Sequence, residues 1–69
     1  MPTRIFTVRE WPGVTRYKIL RHKGGLYAIM ERDFASANYR RWRHGYYASR
    51  QTAEAALHNI YPTGVWSTE

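Results

Sequence analysis

Cysteine is absent from the 69-residue chain. Neither a disulfide nor a thiolate metal site can therefore stiffen it. That suits a reducing compartment. No apolar run is long enough to span a bilayer, and no charged n-region followed by an apolar h-region marks a secretory leader. The expectation is a cytoplasmic protein with no membrane partner. Carboxylates are scarce: Glu10, Glu31, Asp33, Glu54 and Glu69 stand against eleven lysines and arginines, for a net charge of +6. The three histidines, His22, His44 and His58, fall at no metal-ligating spacing, so no metal and no cofactor is expected. Ser36, Ser49 and Ser67 have no evident base or orienting group beside them, and the chain is small for a water-excluding pocket. No residue stands out as catalytic, and the chain should act by binding without turnover.

The length allows one domain, residues 1–69, with 62–69 as a tail. A chain this short buries a modest fraction of its surface and is marginal alone. Three Trp, six Tyr and two Phe offer one remedy, because each ring buries a large area. Homodimerisation is the other.

The clearest element runs from Ser49 to Pro62. Ala53, Ala56, Leu57 and Ile60 fall at i, i+3, i+4 and i+7, which places them on one helical face. Ser49 is a good N-cap, since its hydroxyl can accept a hydrogen bond from a first-turn N–H. Pro62 cannot donate and pushes Tyr61 out of the α region. Upstream, Thr3–Arg9 is β-branched and aromatic and reads as a strand, with Phe6 and Val8 on one side and Ile5 on the other. Trp11-Pro12-Gly13 reads as a turn.

Residues 15–22 and 26–33 form a hairpin about Lys23-Gly24-Gly25. A Gly-Gly two-residue turn sets Lys23 opposite Leu26, Ile19 opposite Met30, Lys18 opposite Glu31 and Arg16 opposite Asp33. The last two become opposite-charge cross-strand pairs. In that register Tyr17, Ile19, Leu26, Ala28 and Met30 share the more apolar face, with Arg21, Lys23 and Arg32 toward its ends. This face is assigned to the helix. The other face carries Arg16, Lys18, Leu20, His22, Tyr27, Ile29, Glu31 and Asp33. It is left open, with Leu20, His22, Tyr27 and Ile29 as a small docking surface inside a charged rim. The alternative is an ordinary wet sheet face.

From Tyr39 to Tyr47, basic residues alternate with rings, and no acid occurs between Phe34 and Ala53. Arginine supplies charge for phosphate, and Trp and Tyr supply stacking surfaces for bases. The segment reads as a third strand with Gly45 as a bulge or bend. If Trp42 faces the core, Arg41 and Arg43 point outward together. The alternative is a solvated edge whose arginines deter sheet aggregation. The expected fold is α+β, an antiparallel sheet of three or four strands with a C-terminal helix on one face.

Gly45-Tyr46-Tyr47-Ala48-Ser49-Arg50-Gln51-Thr52-Ala53-Glu54-Ala55-Ala56-Leu57, following the strands, resembles the arm-type DNA-binding domain of tyrosine recombinases and the related plant ethylene-response-factor domain. There a glycine-aromatic strand end enters a Ser/Thr-capped, Ala-rich helix, and the three-stranded sheet lies in the major groove. The resemblance covers about residues 15 to 61. It implies nucleic-acid contact, DNA more than RNA, through Arg16, Lys18, Arg21, Arg41 and Arg43. Lys23 and Arg40 join that set by charge and position. In size and style the chain also resembles the small orphan proteins of phages and mobile elements, many of which inhibit host nucleases and defence complexes, anti-CRISPR proteins among them. That likeness implies a host nucleoprotein partner in the host cytoplasm, met through Leu20, His22, Tyr27, Ile29 and Trp42.

Overall fold

The computed structural model describes residues 3–10, 13–42 and 45–68. Five strands, β1 (Arg4–Glu10), β2 (Gly13–Arg21), β3 (Tyr27–Arg32), β4 (Arg40–Arg41) and β5 (Val65–Thr68), and one helix, α1 (Arg50–Ile60), follow in the order β1-β2-β3-β4-α1-β5. The fold is α+β, as expected. The strands form one antiparallel sheet in the spatial order β4-β3-β2-β1-β5. The chain meanders through four neighbouring strands, and α1 then carries it from the β4 edge to the β1 edge.

Helix α1 begins and ends where local chemistry says it should. Ser49 sits in extended conformation (φ −149°), and its Oγ accepts from the Thr52 N–H at 3.1 Å. At the other end the Tyr61 N–H reaches the Leu57 carbonyl at 2.8 Å, and Pro62 follows. Ala53 and Leu57 are wholly buried and Ala56 is half-buried. Ile60, on the same stripe, is 41 % exposed, because the stripe's last turn lies at the margin of the covered surface.

Under α1 lie Phe6, Val8, Tyr17, Ile19 and Ile29, all buried. Phe6 is the hub. Its ring centroid lies 4.8 Å from Trp66, 5.2 Å from His58 and 6.3 Å from Tyr17. Beside it, Gly64 has no room for a side chain, since a Cβ there would stand 2.1 Å from the Phe6 ring. The turn after α1 closes with Gly64 N–H to Tyr61 C=O at 3.1 Å, and this turn aims β5 back along β1. The tail was expected to hold no further element. Instead Val65–Thr68 pairs with Arg4–Thr7. A four-residue strand is possible because Trp66, facing Phe6, anchors it from one side.

The β2–β3 register also differs from expectation, by one residue. Ile19 pairs with Ile29, Lys18 with Met30, Tyr17 with Glu31 and Arg16 with Arg32. The turn holds three residues, Lys23–Gly25, closed by His22 N–H to Leu26 C=O at 2.7 Å, with Gly24 and Gly25 both at φ +75°. One added loop residue flips every β3 side chain to the other face. Tyr27, Ile29 and Glu31 therefore face α1, and Ala28, Met30 and Arg32 face away. Leu26, expected under the helix, is 37 % exposed. The expected Lys18–Glu31 and Arg16–Asp33 pairs do not form. Exposed ion pairs contribute at most about 1 kcal/mol each. Placing Ile29 and Tyr27 under the helix, in place of Met30 and Ala28, buries a ring that the other register leaves in water, where a fully buried large side chain gains about 1.5–3 kcal/mol.

Candidate nucleic-acid interface

With the register known, the two sheet faces can be filled residue by residue. The face under α1 carries Arg4, Phe6, Val8 and Glu10 from β1, then Thr15, Tyr17, Ile19 and Arg21 from β2. It continues with Tyr27, Ile29 and Glu31 from β3, Arg40 from β4 and Trp66 from β5. Every carboxylate borne by a described strand lies on this side. Glu31 takes Arg40 at 3.9 Å, and the helix acid Glu54 takes Arg4 at 3.0 Å. Glu31 also faces the buried Tyr17 phenol. Burial, then hydrogen bonding with Tyr61, then Glu31 itself push that phenol far above its ordinary range.

The opposite face has the reverse electrostatics. It carries Ile5, Thr7 and Arg9; Val14, Arg16, Lys18 and Leu20; Ala28, Met30 and Arg32; Arg41; and Val65 and Ser67. Five cations stand here without one strand carboxylate. Arg16 is the direct cross-strand neighbour of Arg32, a like-charge arrangement that destabilises a sheet. The Tyr39 ring takes up part of the strain, with Lys18 Nζ 4.2 Å and the Arg32 guanidinium 5.5 Å from its centroid. Arg9 and Arg16 have no hydrogen-bonding or ionic partner among the described residues.

The cations named from the sequence separate accordingly. Arg16 and Lys18 lie on the open face, and Arg9 and Arg32 join them unexpectedly. Arg21 and Arg40 belong to the helix side, and Lys23 sits exposed in the hairpin turn. Arg41 faces away from the helix but is tied to its own loop. It donates to Gly45 C=O at 2.8 Å and to Tyr46 Oη at 3.0 Å, and lies 4.4 Å over the Tyr46 ring. Arg43, expected beside it, lies outside the described residues, as does His44.

The segment that holds Arg41 meets β3 at two places. Arg40 and Arg41 pair with Glu31 and Met30, and the Trp42 N–H reaches Ile29 C=O at 3.1 Å. Further on, Tyr47 exchanges two bonds with Tyr27 at 2.8 and 2.9 Å. Gly45 takes φ +151°, and Arg41 bonds to its carbonyl and to the Tyr46 hydroxyl.

The surface expected around Leu20, His22, Tyr27, Ile29 and Trp42 is not assembled. Ile29 is 3 % exposed under α1, and Tyr27 is half-buried on the same side, with the Arg50 guanidinium 5.6 Å over its ring. Trp42 packs edge-on against Tyr17 at 5.7 Å. His22 stacks on Tyr46 at 4.7 Å. Only Leu20 keeps its place as an exposed apolar residue on the open face. The cause is again the flipped β3.

The pattern that would have revealed Arg9 was present in the sequence: Phe6 and Val8 share a face, so Arg9 must lie on the other. Arg32 carried no such local signal. No three His, Asp or Glu side chains gather into a metal-holding group among the described residues, and no described helix is long and apolar enough to cross a membrane. No family model, curated protein or solved structure matches the chain.

Proposed function

We propose that the protein is a non-enzymatic nucleic-acid-binding module, DNA its preferred target, and that it binds through the sheet face opposite α1. The observation that carries this reading is the separation of charge between the two faces. Glu31 and Glu54 neutralise cations on the helix side, and Arg9, Arg16, Lys18 and Arg32 are left on one surface with no acid among them. A surface that keeps guanidinium groups side by side favours a ligand carrying closely spaced negative charges. Three antiparallel strands about 4.8 Å apart present those cations over a span comparable to the roughly 12 Å width of a major groove. Bases would be approached only after the phosphates had placed the sheet.

Mobility shift with a duplex DNA, repeated across a salt series, is the direct test. Binding should weaken steeply as salt rises. Arg16→Ala with Arg32→Ala should reduce affinity at least tenfold, whereas Arg21→Ala, on the helix side, should change it little. Absence of any shift at low salt would reject the reading. A shift unaffected by the double change would move the interface elsewhere. If the duplex fails and affinity capture from a cell extract yields a nuclease-resistant protein complex instead, the anti-CRISPR-like reading replaces it.

A further inference from the structure

Where β5 joins the edge of β1, the open face dips into a cleft of about 440 Å³ lined by Thr7, Arg9, Thr63, Val65 and Ser67. We infer that this cleft is a phosphate-binding subsite, and that one backbone phosphate of the bound nucleic acid seats there. The nucleic-acid source rests on the reading above; the phosphate chemistry rests on the cleft alone.

The wall combines donors with apolar surface. Thr7, Thr63 and Ser67 each offer a hydroxyl, Arg9 offers a planar fork of N–H groups, and Val65 is the one apolar side chain. No carboxylate of a described residue lines it, and the cation and hydroxyls that do suit a tetrahedral oxyanion. None of the four polar side chains is committed to a hydrogen bond or ion pair with another described residue, so all can turn toward a ligand. The volume lies in the range of small-molecule sites and leaves room for the sugar attached to a phosphate.

The pairing of the strands fixes where the rest of the ligand goes. Thr7 stands between Val65 on β5 and Arg16 on β2, and Arg16 stands beside Arg32 on β3. A nucleic-acid strand held at the cleft and led across the sheet meets Arg16 next and Arg32 after it. The cleft is thus the terminal phosphate site of a track running across the strands, from the β5 edge toward β3.

The experiment uses the full chain and two ligands, inorganic phosphate and a short DNA duplex, with backbone amide shifts and a salt series of affinities as readouts. Phosphate should shift the amides of Thr7, Val65 and Ser67, and Arg9→Ala should abolish that shift. The same change should weaken duplex binding roughly five- to tenfold near 0.1 M salt and lower the salt slope by about one. Thr7→Val, close in shape and suited to a strand, serves as the second variant and should weaken both ligands less. If the duplex binds and Arg9→Ala leaves affinity and slope unchanged, the subsite is wrong and the nucleic-acid reading stands. If phosphate shifts the cleft amides but the duplex does not bind, the cleft serves a free phosphate compound and the nucleic-acid reading falls. If neither ligand binds, both fall.

Discussion

The two faces of this sheet are built from the same seven- and nine-residue strands, yet they solve opposite problems. On the helix side Phe6 is ringed by Tyr17, His58 and Trp66, and Glu31 and Glu54 are matched to arginines. On the other side Arg16 stands next to Arg32, and Arg9 faces a cleft of hydroxyls. One face is satisfied within the chain, and the other leaves Arg9 and Arg16 without an ionic partner among the described residues. In a domain short of buried area, leaving a like-charge pair in place is a sign that the second face was shaped by something other than stability.

The comparison breaks most readily on the packed side. Leu57→Ala removes a fully buried side chain from α1 and should lower stability by about 2–5 kcal/mol, measured as a shift in the urea midpoint. Leu20→Ala, the matching deletion on the open face, should shift it by well under half as much. A reversal of that order would mean the faces have been assigned the wrong way round. Two glycines give a finer contrast. An alanine methyl at Gly64 meets the enclosed Phe6 ring, so Gly64→Ala should destabilise by roughly 1–3 kcal/mol. At Gly13 the same methyl would stand 2.5 Å from Cγ and 2.7 Å from the Cβ of Phe34; Cβ moves only with its backbone, but Phe34 is 61 % exposed and its loop can shift, so Gly13→Ala should destabilise by less than Gly64→Ala.

The buried Tyr17 phenol adds a pH signature to the packed side. Its folded-state pKa is raised by burial first and by hydrogen bonds to Tyr61 and Glu31 second. Below about pH 10, the ordinary phenol value, folded and unfolded chains both keep the proton, and this contribution is fully present. Above that value the unfolded chain releases a proton that the native state retains, so stability falls by up to about 1.4 kcal/mol per pH unit. Urea midpoints followed from pH 8 to 11 should be level at first and then decline. Tyr17→Phe should flatten the decline while lowering stability throughout, because Tyr61 and Glu31 lose a partner.

The smallest effect sharpens the comparison most. Arg16→Glu places opposite charges across the β2–β3 pair and should raise stability by about 0.2–1 kcal/mol while abolishing nucleic-acid binding. Thermal unfolding and mobility shift on the same preparation test both halves. Loss of stability at that position would show that the two arginines are not in conflict.

The parts of this molecule legible in its sequence are those whose causes are local. Ser49, the Ala53–Leu57 spacing and Pro62 define α1 within a dozen residues, and Tyr17 and Ile19 orient β2, which is why Arg16 and Lys18 could be placed. What could not be read depended on distant partners. β5 exists because Trp66 and Gly64 meet Phe6, far away in the chain. The orientation of β3 turned on one loop residue at Lys23–Gly25, where a plausible pair of salt bridges pointed the wrong way and the burial of Tyr27 and Ile29 decided the outcome. Arg32 was lost with that register, and the docking patch imagined around Tyr27 and Ile29 was an artefact of it.

The pairing of β5 with β1 has a consequence for the order of events during synthesis. β1, the first of the five described strands, receives its outer neighbour only after α1 and the Pro62–Gly64 turn have been made, so Phe6 remains uncovered on that flank until Trp66 arrives. Final closure of this domain is therefore a late, long-range step, and joining the two adjacent strands by a short loop while opening the chain at the exposed Lys23–Gly25 turn should give a permuted protein that reaches the same fold along a different route.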